Sequence, residues 1–330
     1  MADRPVDSSK TPDYGTAAQQ SQELAARLPD LLMQAKRIAA TVMHGLHGRR
    51  RAGPGETFWQ FRRFQNGEPA RRIDWRRSAR DDGLYVRERE WEAAHTVWIA
   101  LDRSPSMFFQ SDMAAQPKID RAIVLTLALV DLLVRGGERV GIVGVMRPTA
   151  SRNAVERAAS ELALADHPAP LIFPSGGALP RFTELVIVSD LLDAIADLEP
   201  ELKAVAKGGV SGHALQIIDP VEQVFPYSGR IEFTDPETGM DIVMGRADGV
   251  RDAFIKRMHD RHDRLLTMFR GLNWAHVVHH TDKPAGLALM ALHGQLGGHG
   301  VPATARETPL ATEALQTASA QRDPTGELAS

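Results

Sequence analysis

Asp102, Ser104 and Ser106 stand at alternating positions in Asp102-Arg103-Ser104-Pro105-Ser106-Met107, directly after the apolar run 96–101. One carboxylate and two hydroxyls spaced this way can converge on one side of a tight loop. They offer hard oxygen donors, the chemistry that Mg²⁺ prefers. A small octahedral cation held by few protein oxygens keeps positions open, and a carboxylate from a partner can fill one. Asp190 closes a second apolar run at 185–188 and could add another carboxylate, directly or through water. The plainer use of these residues is local: Asp capping a turn and Ser bonding nearby backbone, common at strand ends.

A second group of residues is basic. Arg62, Arg71, Arg76 and Arg80 fall in a stretch that also holds Glu56, Glu68, Asp74, Glu88 and Glu90. Guanidinium forks pair bidentately with carboxylates, so these arginines could pin the stretch together, or dock the acidic surface of a partner protein. Arg49-Arg50-Arg51 with Phe58, Trp59 and Phe61 could also meet nucleic acid, but acidic residues punctuate the segment and the chain carries a net charge of −3. Two histidine pairs at helical spacing, His44/His47 and His259/His262, lack an identifiable third metal ligand. His279-His280 closes a late apolar segment. A metal-dependent hydrolase built on the Asp102 loop would need one of them as its base. No phosphate-binding Gly-x-x-x-x-Gly-Lys loop, Gly-x-Ser-x-Gly elbow or His-Glu-x-x-His helix occurs. The chain is expected to be non-enzymatic.

The elements that must position these residues alternate. Apolar runs at 96–101, 139–145, 185–188, 212–218 and 274–278 read as strands, and 118–135, 153–165, 194–207, a segment from 248 or 249, and 284–296 as helices. Such alternation predicts an α/β fold with a mostly parallel, doubly wound sheet, whose ligand sites lie beyond the carboxyl ends of the strands. Arg230 to Phe233 and Asp241 to Val243 flank a Pro-Glu-Thr-Gly turn and read as an inserted β-hairpin. The expected organisation is a disordered lead at 1–16, an N-terminal helix at 17–44 that Pro29 breaks or restarts, an Arg-rich β arm at 45–93, the α/β domain at 94–297 and a disordered tail at 298–330. With 330 residues, 43% of them hydrophobic, the chain can bury a large core. It has no cysteine, no apolar leader and no run long enough for a membrane span. A cytoplasmic location is expected.

The loop resembles the metal-ion-dependent adhesion site of von Willebrand factor A domains, where Asp-x-Ser-x-Ser follows the first strand. Asp102, Ser104 and Ser106 match it, and Asp190 matches a later aspartate. The resemblance implies bound Mg²⁺; the family's usual Gly-Gly-Thr is replaced here by Gly176-Gly177-Ala178. The arm carries a more specific likeness. Gly53-Pro54-Gly55-Glu56-Thr57-Phe58, Arg62-Arg63-Phe64, and above all Ile73-Asp74-Trp75-Arg76-Arg77-Ser78-Ala79-Arg80 resemble the bacterial "domain of unknown function 58" family. In that family such an arm precedes an A-like domain. The resemblance spans roughly residues 40–297. It implies a MoxR-type AAA+ ATPase as partner, in the assembly or activation of an unknown client protein.

Overall fold

The computed structural model describes residues 17–47, 60–65, 68–80, 83–88, 95–174 and 179–296. The expected lead and tail lie outside them, as do Arg49-Arg50-Arg51, Glu56, Phe58, Trp59, Glu90 and the Ser175 to Ala178 loop. The side chains of His47, Phe61 and Glu88 also lie outside.

Helix α1 runs from Ala17 to His47 without interruption, so Pro29 neither breaks nor restarts it. Proline removes one helical hydrogen bond and frees the carbonyl four residues earlier. Pro29 is exposed, so the proline ring sits on the solvent side of a helix that runs on past it. The opposite face carries Leu24, Leu28, Leu31, Ala35, Ala39 and Val42, all buried, at spacings of three and four. This stripe packs on α3 (Lys118–Arg135), α4 (Ala154–Leu164) and α8 (Ala285–Leu296).

That contact explains why α3 is apolar nearly all round. One side covers the sheet, and α1 lies on the side that would otherwise meet solvent.

The arm forms a two-stranded antiparallel sheet, β1 (Gln60–Arg63) with β2 (Tyr85–Glu88), with the single-turn helix α2 (Trp75–Ser78) between them. The main sheet uses β3 (Thr96–Leu101), β4 (Arg139–Ile142), β5 (Met146–Thr149), β6 (Glu184–Ser189), β7 (Ser211–Ile218) and β10 (Ala275–His280). Their order across it is β10-β7-β6-β3-β4-β5. All neighbours are parallel except β4 and β5.

The run 139–145 is therefore not one strand. Gly144, in the left-handed region at φ +71°, turns the chain back after Ile142, and β5 follows as an edge strand on which Pro148 is tolerated.

Alternate strand residues face opposite layers. Val97, Ile99, Val186 and Val188 join the α1/α3/α4/α8 side, while Leu185 and Ile187 join α5 (Ile195–Lys207) and α7 (Arg251–Gly271). The sheet is thus doubly wound, with helices on both faces. The short helix α6 (Val221–Val224) follows β7, and the expected hairpin forms as β8 (Ile231–Thr234) and β9 (Asp241–Met244). No described helix is long and apolar enough to cross a membrane.

Candidate functional site at the topological switch point

From β3 the chain winds first to β4 and β5, then crosses to β6, β7 and β10 on the other side. Ligand crevices in open α/β sheets form where winding reverses, beyond the carboxyl ends of the two strands involved. Here those strands are β3 and β6, followed by Asp102 and by Asp190. The pairing continues one step further, as the Asp102 amide donates to the Val188 carbonyl at 2.9 Å.

The structure brings the four predicted residues together. Asp102 Oδ1 accepts from the Ser104 amide at 2.9 Å, and Asp102 Oδ2 from the Ser189 hydroxyl at 2.6 Å. Ser104 Oγ and Ser106 Oγ are 3.2 Å apart, and Ser106 Oγ donates to Asp190 Oδ2 at 2.8 Å. Arg103 turns away and donates to the Asp166 carbonyl at 2.7 Å, holding the loop from behind. Asp102 and Asp190 are buried, and Ser104 is half-buried. Burial, and next the Asp190 charge, push the Asp102 carboxyl up to about 6 against the Ser189 and Ser104 hydrogen bonds.

Lys118 is one of the residues that sequence reasoning missed at this site. It opens α3 at 1% exposure, and its ammonium donates to Asp190 Oδ2 at 2.7 Å and to Glu222 Oε1 at 2.6 Å. Burial alone would lower its pKa. Asp190 and Glu222 more than reverse that and hold it above its ordinary value, so it is charged. Glu222 is itself fixed through Oε2 by the Asp219 amide at 2.9 Å, and Asp219 accepts from the Ser111 amide at 3.0 Å.

The donor types at Asp102, Ser104 and Ser106 suit Mg²⁺. The charge arrangement does not. Asp190 Oδ2 already takes an ammonium and a hydroxyl, both Asp102 oxygens are engaged, and a divalent ion would have to sit beside a fixed positive charge. Among the described residues, no group of three or more His, Cys, Asp or Glu side chains could hold a metal ion. As built, the cluster does not fit a resident divalent ion.

In the arm, Arg62 pairs bidentately with Glu68, with its closer nitrogen at 2.7 Å, so it serves the arm itself. Asp74, expected as an ion-pair partner, instead caps α2 by accepting from the Arg77 amide at 3.0 Å. Ile73 packs against β2 opposite Val86, and the Ser78 hydroxyl accepts from the Tyr85 amide at 2.9 Å. Ile73, Asp74 and Ser78 of the Ile-Asp-Trp string are therefore structural. Arg71, Arg76 and Arg80 are exposed, and so is Trp75 at 63%.

His279 and His280 close β10, and β7 and β6 separate them from β3. Three steps of about 4.8 Å place them roughly 14 Å from Asp102, far beyond one bridging water. Burial first, then Arg121 and His280, push His279 down to about 3. In the unfolded chain its pKa returns to about 6.5. The unfolded state therefore takes up the proton first, and stability is full above pH 6.5 and lost as pH falls towards 3. Glu184 and Asp102, raised to about 7 and about 6, act in the opposite sense, so a comparison of variants isolates the histidine. Relative to His279→Gln, wild type is expected to lose about 2 kcal/mol between pH 7.5 and pH 5 in denaturant titrations. A constant difference across that range would show that His279 is not held neutral by burial.

Some of the missed residues left a trace in the sequence. Lys118 is a cation at the head of a largely apolar helix, and Asp219 and Ser189 sit at carboxyl ends of buried strands. Glu237, whose Oε1 accepts from the Ser106 amide at 2.9 Å, left none, because it lies in the turn of the inserted hairpin.

An open, doubly wound α/β fold with a polar cluster at its switch point defines the class of protein. The chain belongs to the family described as "Protein of unknown function DUF58", whose model matches residues 60–264. Uncharacterized proteins of Mycobacterium bovis and Mycobacterium tuberculosis are each 26% identical to it over 249 residues, covering 71% of this chain and 77% of theirs. Among solved structures, the conserved hypothetical protein BatB from Bacteroides thetaiotaomicron is similar at TM-score 0.38 and 18% identity, covering 62% of this chain and 98% of that one. An aerotolerance-related membrane protein from Bacteroides fragilis is similar at TM-score 0.37 and 17% identity, with the same coverage.

Proposed function

We propose that this chain is a non-enzymatic, cytoplasmic partner-binding protein with a von Willebrand factor A-like domain. It serves a MoxR-type AAA+ ATPase in assembling or activating other proteins. The observation that carries this reading is the convergence of Asp102, Ser104, Ser106 and Asp190 at the switch point between β3 and β6. The residues that carry the A-like resemblance are these same four. No histidine base from β10 reaches the rim, which weighs against a hydrolase.

Asp102, Ser106 and Asp190 are buried, so a partner meets Ser104 while the two carboxylates hold the loop in shape. Mg²⁺ as a bridging ion, the version the resemblance implies, would have to enter against the Lys118 ammonium. The exposed Trp75, Arg71, Arg76 and Arg80 form a second contact suited to an acidic protein surface, since tryptophan and arginine dominate interface energetics. Nucleic acid on the same arm would instead give an affinity that falls steeply with salt.

The test is capture of the MoxR-type ATPase encoded in the same genome by wild type and by Asp102→Ala, each with Mg²⁺ and with EDTA. The nucleotide state of the ATPase is matched in each, and folding is checked by circular dichroism. Wild type is expected to capture it under both conditions and the variant at least about tenfold less, a loss of about 1.4 kcal/mol. Equal capture by a folded variant removes the rim from the reading. Capture abolished by EDTA alone restores the ion.

A further inference from the structure

We infer that the rim is a metal-independent carboxylate acceptor closed by its own hairpin. Glu237 occupies the place of a partner's acidic side chain, and the partner binds by exchanging that side chain for it. This rests on the partner-binding reading above and adds to it the chemistry of the partner and the means of control.

Glu237 lies 131 residues from Ser106 in the chain, yet its carboxylate accepts from the Ser106 amide at the centre of the rim. The turn that carries it keeps its shape without that contact. Asp235 Oδ1 accepts from the Glu237 amide at 3.0 Å, Asp235 Oδ2 from the Thr238 hydroxyl at 2.6 Å, and the Gly239 amide closes on the Asp235 carbonyl at 2.8 Å. Gly239 takes the left-handed φ of +70° that this turn requires.

The hairpin base is anchored separately. Phe225 stacks on Phe233 at 5.9 Å and meets Phe254 of α7 at 4.8 Å. The Glu237 contact is therefore not what folds the hairpin, and it can open while the base stays fixed.

Lys118 is already matched by Asp190 and Glu222, so the carboxylate is received by the Ser106 backbone amide itself, without metal. The surroundings of Glu237 are acidic. Glu237 lines a depression of about 400 Å³ together with Ser104, Pro105, Asp193, Asp197 and Glu201. These like charges repel the Glu237 carboxylate. They also specify the incoming segment: its acidic side chain must be accompanied by a basic one that answers Asp193, Asp197 and Glu201.

The test follows the Ser106 amide by NMR in wild type and in Glu237→Ala while an N-acetylated, C-amidated Lys-Glu-Lys peptide is added, with the equally blocked Lys-Gln-Lys as a carboxylate-free control. Glu237 is exposed, so the substitution leaves the fold intact. The Ser106 signal is expected to titrate with Lys-Glu-Lys at least tenfold more tightly in the variant than in wild type, and not with Lys-Gln-Lys. Equal affinities in the two proteins would overturn the closure by Glu237. Equal response to both peptides, or none to either in the variant, would overturn the carboxylate acceptor. Peptide binding by the variant without capture of the ATPase by either protein leaves this inference standing and removes the partnership instead.

Discussion

Lys118→Met is expected to destabilise the protein by about 3–5 kcal/mol, the cost of removing one partner from a buried ion pair. The ammonium is 1% exposed and bonds Asp190 and Glu222 at 2.7 and 2.6 Å. Methionine fills the same space but leaves both carboxylates without their cation, beside an Asp102 already pushed up to about 6. For a domain of this size each kcal/mol moves the melting temperature by about 2–4 °C, so a fall of roughly 10 °C is the outcome to look for in thermal unfolding.

Two further variants separate charge from packing. The triple change Lys118→Met, Asp190→Asn, Glu222→Gln should recover most of the loss, because a buried pair replaced as a whole is nearly neutral. Millimolar Mg²⁺ should raise the melting temperature of the single variant and not that of wild type. An equal rise in wild type would mean that the cluster admits an ion beside its ammonium.

This cluster also shows where sequence reading stopped. Asp102, Ser104, Ser106 and Asp190 were legible because each follows a buried strand, and the doubly wound rule says where such ends meet. Lys118 and Glu222 were not, because they are brought in by a helix start and by a single-turn helix 104 residues further on. No local pattern links those two positions. The same limit applies to α1. Its stripe was readable as a helix, but that it lies over α3 was not, although the all-round apolar character of α3 called for a second cover.

In the arm, the Ile73 to Arg80 string was recognisable as a unit. Only the packing of Ile73, the cap at Asp74 and the Ser78 bond divide it into residues that hold the arm and residues left exposed. The β4–β5 turn was missed because an unbroken apolar run gives no sign that Gly144 takes a left-handed conformation.

Gly212→Ala is expected to cost at least about 3 kcal/mol, at the upper end of what overpacking a core produces. Gly212 lies on β7 opposite Leu185 of β6, and the indole of Trp274, just before β10, covers it. A Cβ built on Gly212 would stand 2.0 Å from Trp274 Cδ2 and 2.1 Å from Cε3, a separation that real contacts never reach. The backbone cannot yield, since β7 is hydrogen-bonded on both sides, to β6 and to β10. The indole would have to move by more than an ångström, and it is 6% exposed in a core shared with Leu265, Met268 and Phe269 of α7. The glycine is thus required by close approach and not by its backbone angles, which distinguishes it from Gly144.

The clash makes a specific claim about coupling. Trp274→Leu alone should destabilise by about 2–4 kcal/mol through lost packing, but it clears the space above β7. In the double variant the Gly212→Ala penalty should shrink to below about 1 kcal/mol, giving an interaction energy of about 2 kcal/mol or more in a double-mutant cycle. Denaturant titration of the four proteins measures it. Additive penalties would mean that the indole does not lie on Gly212 in solution, and that the layer beneath β7 and β10 is packed differently from the arrangement described.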